Sequence, residues 1–330
     1  MKRFALAAAF VLTACGAGDG GPAEVTVTAE YVALYPEEAQ RLDLGSLDYR
    51  GGLVLSSDDD RFGGFSAIEV SEDGTRLLAI SDSGYWMTAS LAYEAGGLSG
   101  LTDVRMADML GMAGEVLEGD HEDAEGLADL GEGRYAVSFE RDHRVLVYDI
   151  GADWAGIENA LPSPLPGPPG IERLRNNAGI EGMAPGPNGS IWMAVEDPII
   201  DGRPHTVWQI HTGGGIDLSY NLAAERGFGL TAIAVQEDGT LIIVERFYSQ
   251  AIGNRIRVVR VTPQAIENAR AAGSVIQPDL LAEFTPDITV DNIEGAALAT
   301  VDGERRLFLI SDDNYNAAQR TLLLSFAIPD

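Results

Sequence analysis

The sequence predicts an all-β protein: a single β-propeller of five four-stranded blades, with a sixth left open, closed into a ring by N-terminal strands. Three observations predict it. One hairpin pattern recurs five times between residues 63 and 312. Gly and Pro number 39 and 15 among 330 residues, so turns are frequent. Helical periodicity is scarce: outside the N-terminal segment the convincing helix is Pro263–Ala272, an insert in the fourth repeat, with a weaker one at Glu37–Leu42.

Each repeat opens with small residues, runs through a short apolar strand and a Gly-containing turn, and ends a second apolar strand on an acid. The opening and closing residues are Ser66 and Asp82, Glu125 and Glu140, Glu181 and Glu196, Thr231 and Glu245, and Glu294 and Asp312. The intervals between them are 16, 15, 15, 14 and 18 residues, and successive openings lie 59, 56, 50 and 63 residues apart. A hairpin at that spacing, followed by further strands, has the size of one propeller blade. The expected outer strands are Arg144–Tyr148, Thr206–Ile210, Arg255–Val261 and Thr321–Phe326. Arg255–Val261 mixes Arg with apolar residues in near-alternation, as a half-exposed strand should. Glu24–Leu34 and Leu47–Ser56 also read as strands and are expected to complete the last blade, removing free sheet edges.

Residues 1–15 begin Met-Lys-Arg, continue with an apolar run from Phe4 to Leu12, and end Leu12-Thr13-Ala14-Cys15. A basic start, a short apolar core and small residues before a cut describe an export signal. The run is too short to span a bilayer. Leu-x-Ala-Cys resembles the bacterial lipobox, which implies cleavage before Cys15 and lipid on its sulfur; the alternative is a plain signal in which Cys15 is incidental. Gly16 in place of Asp favours the outer membrane, with the domain facing the periplasm. Residues 15–22 then form a lipidated tether, and 23–330 the propeller domain.

Composition removes several chemistries. Lys plus Arg total 22 against 51 Asp plus Glu, a formal charge of −29. Nucleic acid is excluded as a partner, because no basic excess exists to meet a phosphate backbone. Lys2 is the only lysine and Cys15 the only cysteine, so Schiff-base chemistry, a thiolate metal site and a Cys–His pair are absent from the domain. No Gly-x-Ser-x-Gly elbow is present, and the Gly-rich segments open no predicted helix that could cradle a dinucleotide. The four Trp residues are read as packing, and Asp58–Asp60 as a solvated loop.

In a propeller the innermost strands face the central channel, so a residue repeated at their start becomes a ring. Glu125, Glu181 and Glu294 hold equivalent positions, each followed by Gly, which lets neighbouring backbone approach. Carboxylates converging on one axis must protonate, be paired or bind a cation. With oxygen donors and Asn on offer, and His121, His143, His205 and His211 lacking zinc-hydrolase spacing, calcium is the expected ion and magnesium the second choice. The competing reading makes each Glu a staple to Arg or to backbone amides, as Glu140-Arg141 and Glu245-Arg246 suggest.

Seven segments resemble one family, the phytase-like or "esterase-like activity of phytase" proteins of bacteria: Arg61–Ala67, Asp123–Ala128, Val137–Arg141 with His143 and Arg144, Asn177–Gly182, Leu241–Phe247, Asp291–Gly295, and Ser311–Asn314 with Gln319–Leu324. They run in order across nearly the whole domain. The resemblance implies a β-propeller and metal-assisted hydrolysis of a phosphoester or other ester. Carried over by position, it implies Glu125, Glu181, Glu294 and Asp312 as metal ligands and Glu140, Glu196 and Glu245 as the acids behind them. Arg141, Arg246 and Arg320 would hold an anionic substrate. The chain departs from β-propeller phytases proper in lacking lysine, which argues against inositol hexakisphosphate as substrate.

The expected function is therefore an envelope-anchored, calcium-dependent hydrolase of a small anionic ester or phosphoester, acting as a monomer and touching the membrane through its lipid alone. The alternatives are a non-catalytic binding platform and, more remotely, a lactonase.

Overall fold

Five antiparallel sheets stand around one axis as the blades of a β-propeller in the computed structural model, which describes residues 23–199, 202–213 and 217–329. The export signal and Cys15 lie outside the described residues. The blades follow chain order. Their inner strands are Phe65–Val70, Ala124–Asp129, Ile180–Pro185, Gly229–Val235 and Asn292–Val301. Each inner strand touches the next around the ring, and the fifth touches the first. Five blades therefore close the ring.

Five separate apolar cores fill the spaces between neighbouring blades. The core between blades one and two, for example, packs Leu78, Ile80 and Trp86 against Leu127, Val137 and Tyr148. This is sheet-on-sheet packing repeated around an axis, with inward and outward side chains of each strand serving two different cores. All four Trp residues are buried in it. Trp86 meets Tyr148 edge to face at 5.3 Å, and Arg76 lies 4.6 Å over the Trp154 ring. They pack, as the sequence predicts.

The N-terminal strands close the ring, with one difference from expectation. Leu47–Ser57 pairs with Thr321–Ala327 as an outer strand of blade five, and Val27–Tyr31 pairs with it in turn. Ala23–Glu24, however, pairs with Arg105 and Met106 on the outer strand of blade one. One segment thus clasps both blades that meet at the seam. The helix forms over Pro263–Ala272, capped by the Thr262 hydroxyl, which accepts the Ala265 amide, and by left-handed Gly273. The helix expected at Glu37–Leu42 is absent: those residues form turns, closed by Glu38 N–H to Tyr35 carbonyl and Arg41 N–H to Glu38 carbonyl bonds. Six residues cannot offset the cost of helix nucleation without a packed face.

Candidate functional site

At its opening residue every inner strand carries a β-bulge. The register slips between Phe65 and Ala67, Ile180 and Gly182, Leu230 and Ala232, and Ile293 and Gly295, and opposite Ser138 in blade two. A bulge re-aims the side chain it carries. Here it turns Ser66, Glu125, Glu181, Thr231 and Glu294 toward the axis. The following glycines do what their positions predict. A Cβ on Gly126 would lie 2.7 Å from the Glu181 carbonyl of the next blade, and one on Gly295 would lie 3.1 Å from Ala67 Cα.

A second ring sits at the mouth, formed by the residues paired two positions before each opening. The pairings Gly64–Asp82, Asp123–Glu140, Gly179–Glu196, Gly229–Arg246 and Asn292–Asp312 follow from the registers. Two corrections to the sequence reading result. The closing residue of the fourth repeat is Arg246, not Glu245. Glu245 is fully buried inside its blade and bonded to Arg257 at 2.6 Å, so it does not line the mouth. In addition, Asp82, Asp123 and Asn292 belong to the site, although the sequence reading did not select them.

Eight carboxylates therefore converge: Asp82, Asp123, Glu125, Glu140, Glu181, Glu196, Glu294 and Asp312. Oxygens of Asp123, Glu125 and Glu140 all lie within 4.8 Å of one another. Glu140 leans onto the next blade and accepts the Gly179 amide, and a Cβ on Gly179 would fall 2.5 Å from Glu140 Cγ. Glu196 leans likewise on Gly229, where a Cβ would fall 2.9 Å from its Cγ. Asn292 Nδ2 donates to Glu294 at 2.7 Å and to Asp312 at 3.2 Å, joining the two rings in blade five.

One guanidinium enters this ring. Arg246 bonds Glu196 at 2.9 Å and approaches Glu294 to 3.5 Å. The other two predicted arginines sit on the rim, each already held: Arg141 by Asp123 at 2.9 Å, and Arg320 by Asp291 at 3.2 Å. Arg141 is a left-handed non-glycine residue, with φ of 53°, strain that its pairing with Asp123 holds in place. The staple reading is thus correct for Glu196, which Arg246 holds, and for Glu140, which is held by the Gly179 backbone amide and not by Arg141, which turns to Asp123.

The electrostatics follow from crowding. Burial pushes Glu125 well above the usual carboxylate range, and facing Glu181 and Glu294 push it further. Glu181 rises through burial and the charges of Glu196 and Glu294, against the pull of Arg246. Glu294 rises through burial, with Arg246 opposing and Asp312 adding. Burial raises Asp82 to about 7, with Asp312 beside it, and Glu140 to about 7, with the Gly179 amide opposing. Asp312 is raised to about 6, chiefly by burial. Asp123 crowds Glu125 and Glu196 crowds Glu181, so protons must gather on these pairs unless a cation replaces them. Glu181 Oε2 is buried without any hydrogen-bond partner, an oxygen left free to ligate. The donor set is all oxygen, as calcium or magnesium requires, and among the described residues no His or Cys joins it.

A five-bladed propeller whose axis is lined by carboxylates is the class of protein defined here. The chain belongs to the phytase-like family, described as esterase-like activity of phytase, whose model matches residues 45–315. No curated protein matches. Among solved structures it is similar to an aldose sugar dehydrogenase of Streptomyces coelicolor in its PQQ-bound form, at 11% identity and TM-score 0.48, covering 92% of this chain and 100% of that one. A gluconolactonase of Xanthomonas campestris aligns at 13% identity and TM-score 0.41, over 94% and 98% of the two chains. A Dyadobacter fermentans protein of unknown function aligns at 11% and 0.44, over 94% of each. Likenesses this distant carry no argument about the reaction.

Proposed function

We infer that the protein is a divalent-cation-dependent hydrolase of an ester or phosphoester, with its site at the acidic mouth of the propeller. The observation that carries this reading is the convergence of eight carboxylates on one axis with a single guanidinium among them. Asp123, Glu125, Glu140 and Glu181 would hold the ion, and the flexible all-oxygen set favours calcium over magnesium. When bound, the ion supplies Lewis-acid polarisation of the ester or phosphoryl oxygen. The chain's own residues do the rest. Glu196, outside that ligand set and held by Arg246, is the acid placed to take a proton from an attacking water. Arg246 holds Glu196 and Glu294 in position and offsets negative charge where it gathers. The blade cores keep these groups fixed, so little reorganisation accompanies the reaction.

Cys15 would carry lipid and tether the domain to the cell envelope through residues 16–22. Purified mature domain, assayed on phosphomonoester, phosphodiester, carboxylester and lactone substrates with calcium and then with chelator, tests the reading. Calcium-dependent turnover of one of the ester classes is expected. No turnover of any class in either condition would overturn it, and turnover of the lactone alone would replace the substrate class.

A further inference from the structure

Beside the acidic mouth lies a cavity of about 770 Å³. Its walls come from two loops of blade three: the segment after Glu196, with Asp197, Pro198, Gly202, Arg203 and Pro204, and the segment Ala223–Phe228 leading to Gly229. Glu196 and Gly229 belong to the carboxylate site, so the cavity opens on the same face and directly adjoins it.

Its charges are unusual for this chain. Among the described residues nearly every arginine bonds a carboxylate or carbonyl, as expected where acids outnumber bases. Arg203 and Arg226 do not, and neither do Arg105 and Arg134 on blades one and two, but only Arg203 and Arg226 share a cavity: both are exposed, and neither has a hydrogen bond, an ion pair or a ring contact. The two carboxylates of the wall do not claim them. Asp197 is bonded to Arg175 at 2.7 Å, and Glu225 faces buried Glu245. Pro198, Pro204, Ala223, Ala224 and Phe228 give the wall its apolar part. Phe228 is buried, packs on Phe247 at 5.6 Å, and has Arg255 and Arg257 over its ring at 5.7 and 5.6 Å. Behind Pro204, His205 is fully buried and neutral, held so by desolvation, and its ring nitrogens make no well-formed hydrogen bond.

We propose that this cavity is a binding site for a compact organic anion, with its body against the proline, alanine and Phe228 wall and its phosphate or carboxylate group held by Arg203 and Arg226. Two guanidiniums with free donors match the planar or tetrahedral oxygens of such a group. A mostly apolar cavity with a few convergent polar groups is the usual form of a small-molecule site. Resting on the hydrolase reading, the site would seat the anionic end of the substrate while its ester bond reaches the carboxylate ring, which defines the substrate class as esters bearing a second, non-reacting anionic group.

Calorimetric titration of the mature domain in chelator, which removes any ion at the ring, tests the site without requiring turnover. Phenyl phosphate and phenylacetate are the anionic probes, and benzyl alcohol is the neutral control. Saturable binding of at least one anion is expected, with at least a tenfold weaker affinity in the Arg203→Gln/Arg226→Gln double variant and no binding of benzyl alcohol. The Arg226→Glu single variant, exposed and far from any core, should weaken binding as well and guards against misfolding of the double. No saturable binding of either anion, or equal affinity in the double variant, would overturn the site. Which probe wins separates a phosphate group from a carboxylate. Anion binding that the double variant loses, without turnover of any ester in calcium, would sink the hydrolase reading and leave this site standing. Turnover whose KM for an anionic ester is unchanged in the double variant would do the reverse.

Discussion

The two sides of the carboxylate ring solve the same electrostatic problem differently. On the side of blades three to five, Glu196, Glu294 and Asp312 gather around Arg246, and Asn292 bridges two of them. On the side of blades one to three, Glu125 faces Glu181 and Glu140, and Asp82 faces Asp123 and Asp312. Among the described residues no guanidinium bonds Asp82, Glu125, Glu140 or Glu181, since Arg141 reaches only Asp123 at the rim. One side is partly neutralised by the chain itself; the other is left for protons or an added ion. The difference shows that a propeller's near-symmetry need not give a symmetric site. A single guanidinium at one of five equivalent positions divides the ring into a fixed half and a half that can bind.

The comparison breaks most sharply at Glu181 and Glu125. Glu181→Gln or Glu125→Gln should reduce calcium-dependent turnover by about 1,000-fold, on the order of 4 kcal/mol of transition-state stabilisation. A loss under fivefold would mean that the open half is not where the ion binds. Next comes the fixed half. Arg246→Met removes its only cation and leaves buried charge uncompensated, which should cost about 3–5 kcal/mol of stability in chelator. Excess calcium should restore most of it, whereas a melting temperature insensitive to the change would show that Arg246 does not neutralise the ring. Gly179→Ala tests the leaning of Glu140: the new Cβ must displace the carboxylate, and calcium affinity should fall about tenfold by titration, by the order expected of a moved ligand.

A smaller effect is expected from pH. Asp82 and Glu140, raised to about 7, and Asp312, raised to about 6, bind protons in the folded chain that the unfolded chain releases near its ordinary value. Their protonation therefore favours the fold below about pH 4, and that contribution is lost as pH rises through about 7. In chelator the melting temperature should fall from pH 5 to 7.5 and recover with calcium; a flat profile would show that these acids do not titrate together. The smallest effect belongs to Glu245→Gln. Because Glu245 faces Arg257 and not the ring, calcium affinity should stay within about twofold while stability drops. A large loss of affinity would put Glu245 back in the site.

Much of this was legible in the chain. The hairpin repeat, the inner strands, the helix at Pro263–Ala272, and the ring of Glu125, Glu181 and Glu294 all follow from periodicity and spacing, because a repeated local pattern must occupy repeated places. Glu245 shows where that logic slipped. It ends an apolar run as Glu140 and Glu196 do, but it sits 14 residues after Thr231, whereas their spacing is 15. The hairpins of blades two, three and four have equal lengths, so the constant offset of 15 points to Arg246. Composition, which favours acids, concealed it. Asp123 and Asn292 were missed for a related reason: Asp123 precedes its strand and Asn292 opens its own, and both join the site only through the bulge that follows them.

The sequence by itself determined the architecture and the kind of donor available. Local hydrophobic patterning dictates strands, and the lack of lysine and cysteine leaves the domain oxygen donors, guanidiniums and four imidazoles. Only the tertiary structure decided which acids meet which base. Closing the ring sets the register of five hairpins against one another, and a shift of one residue in a strand turns a side chain from the channel into the core.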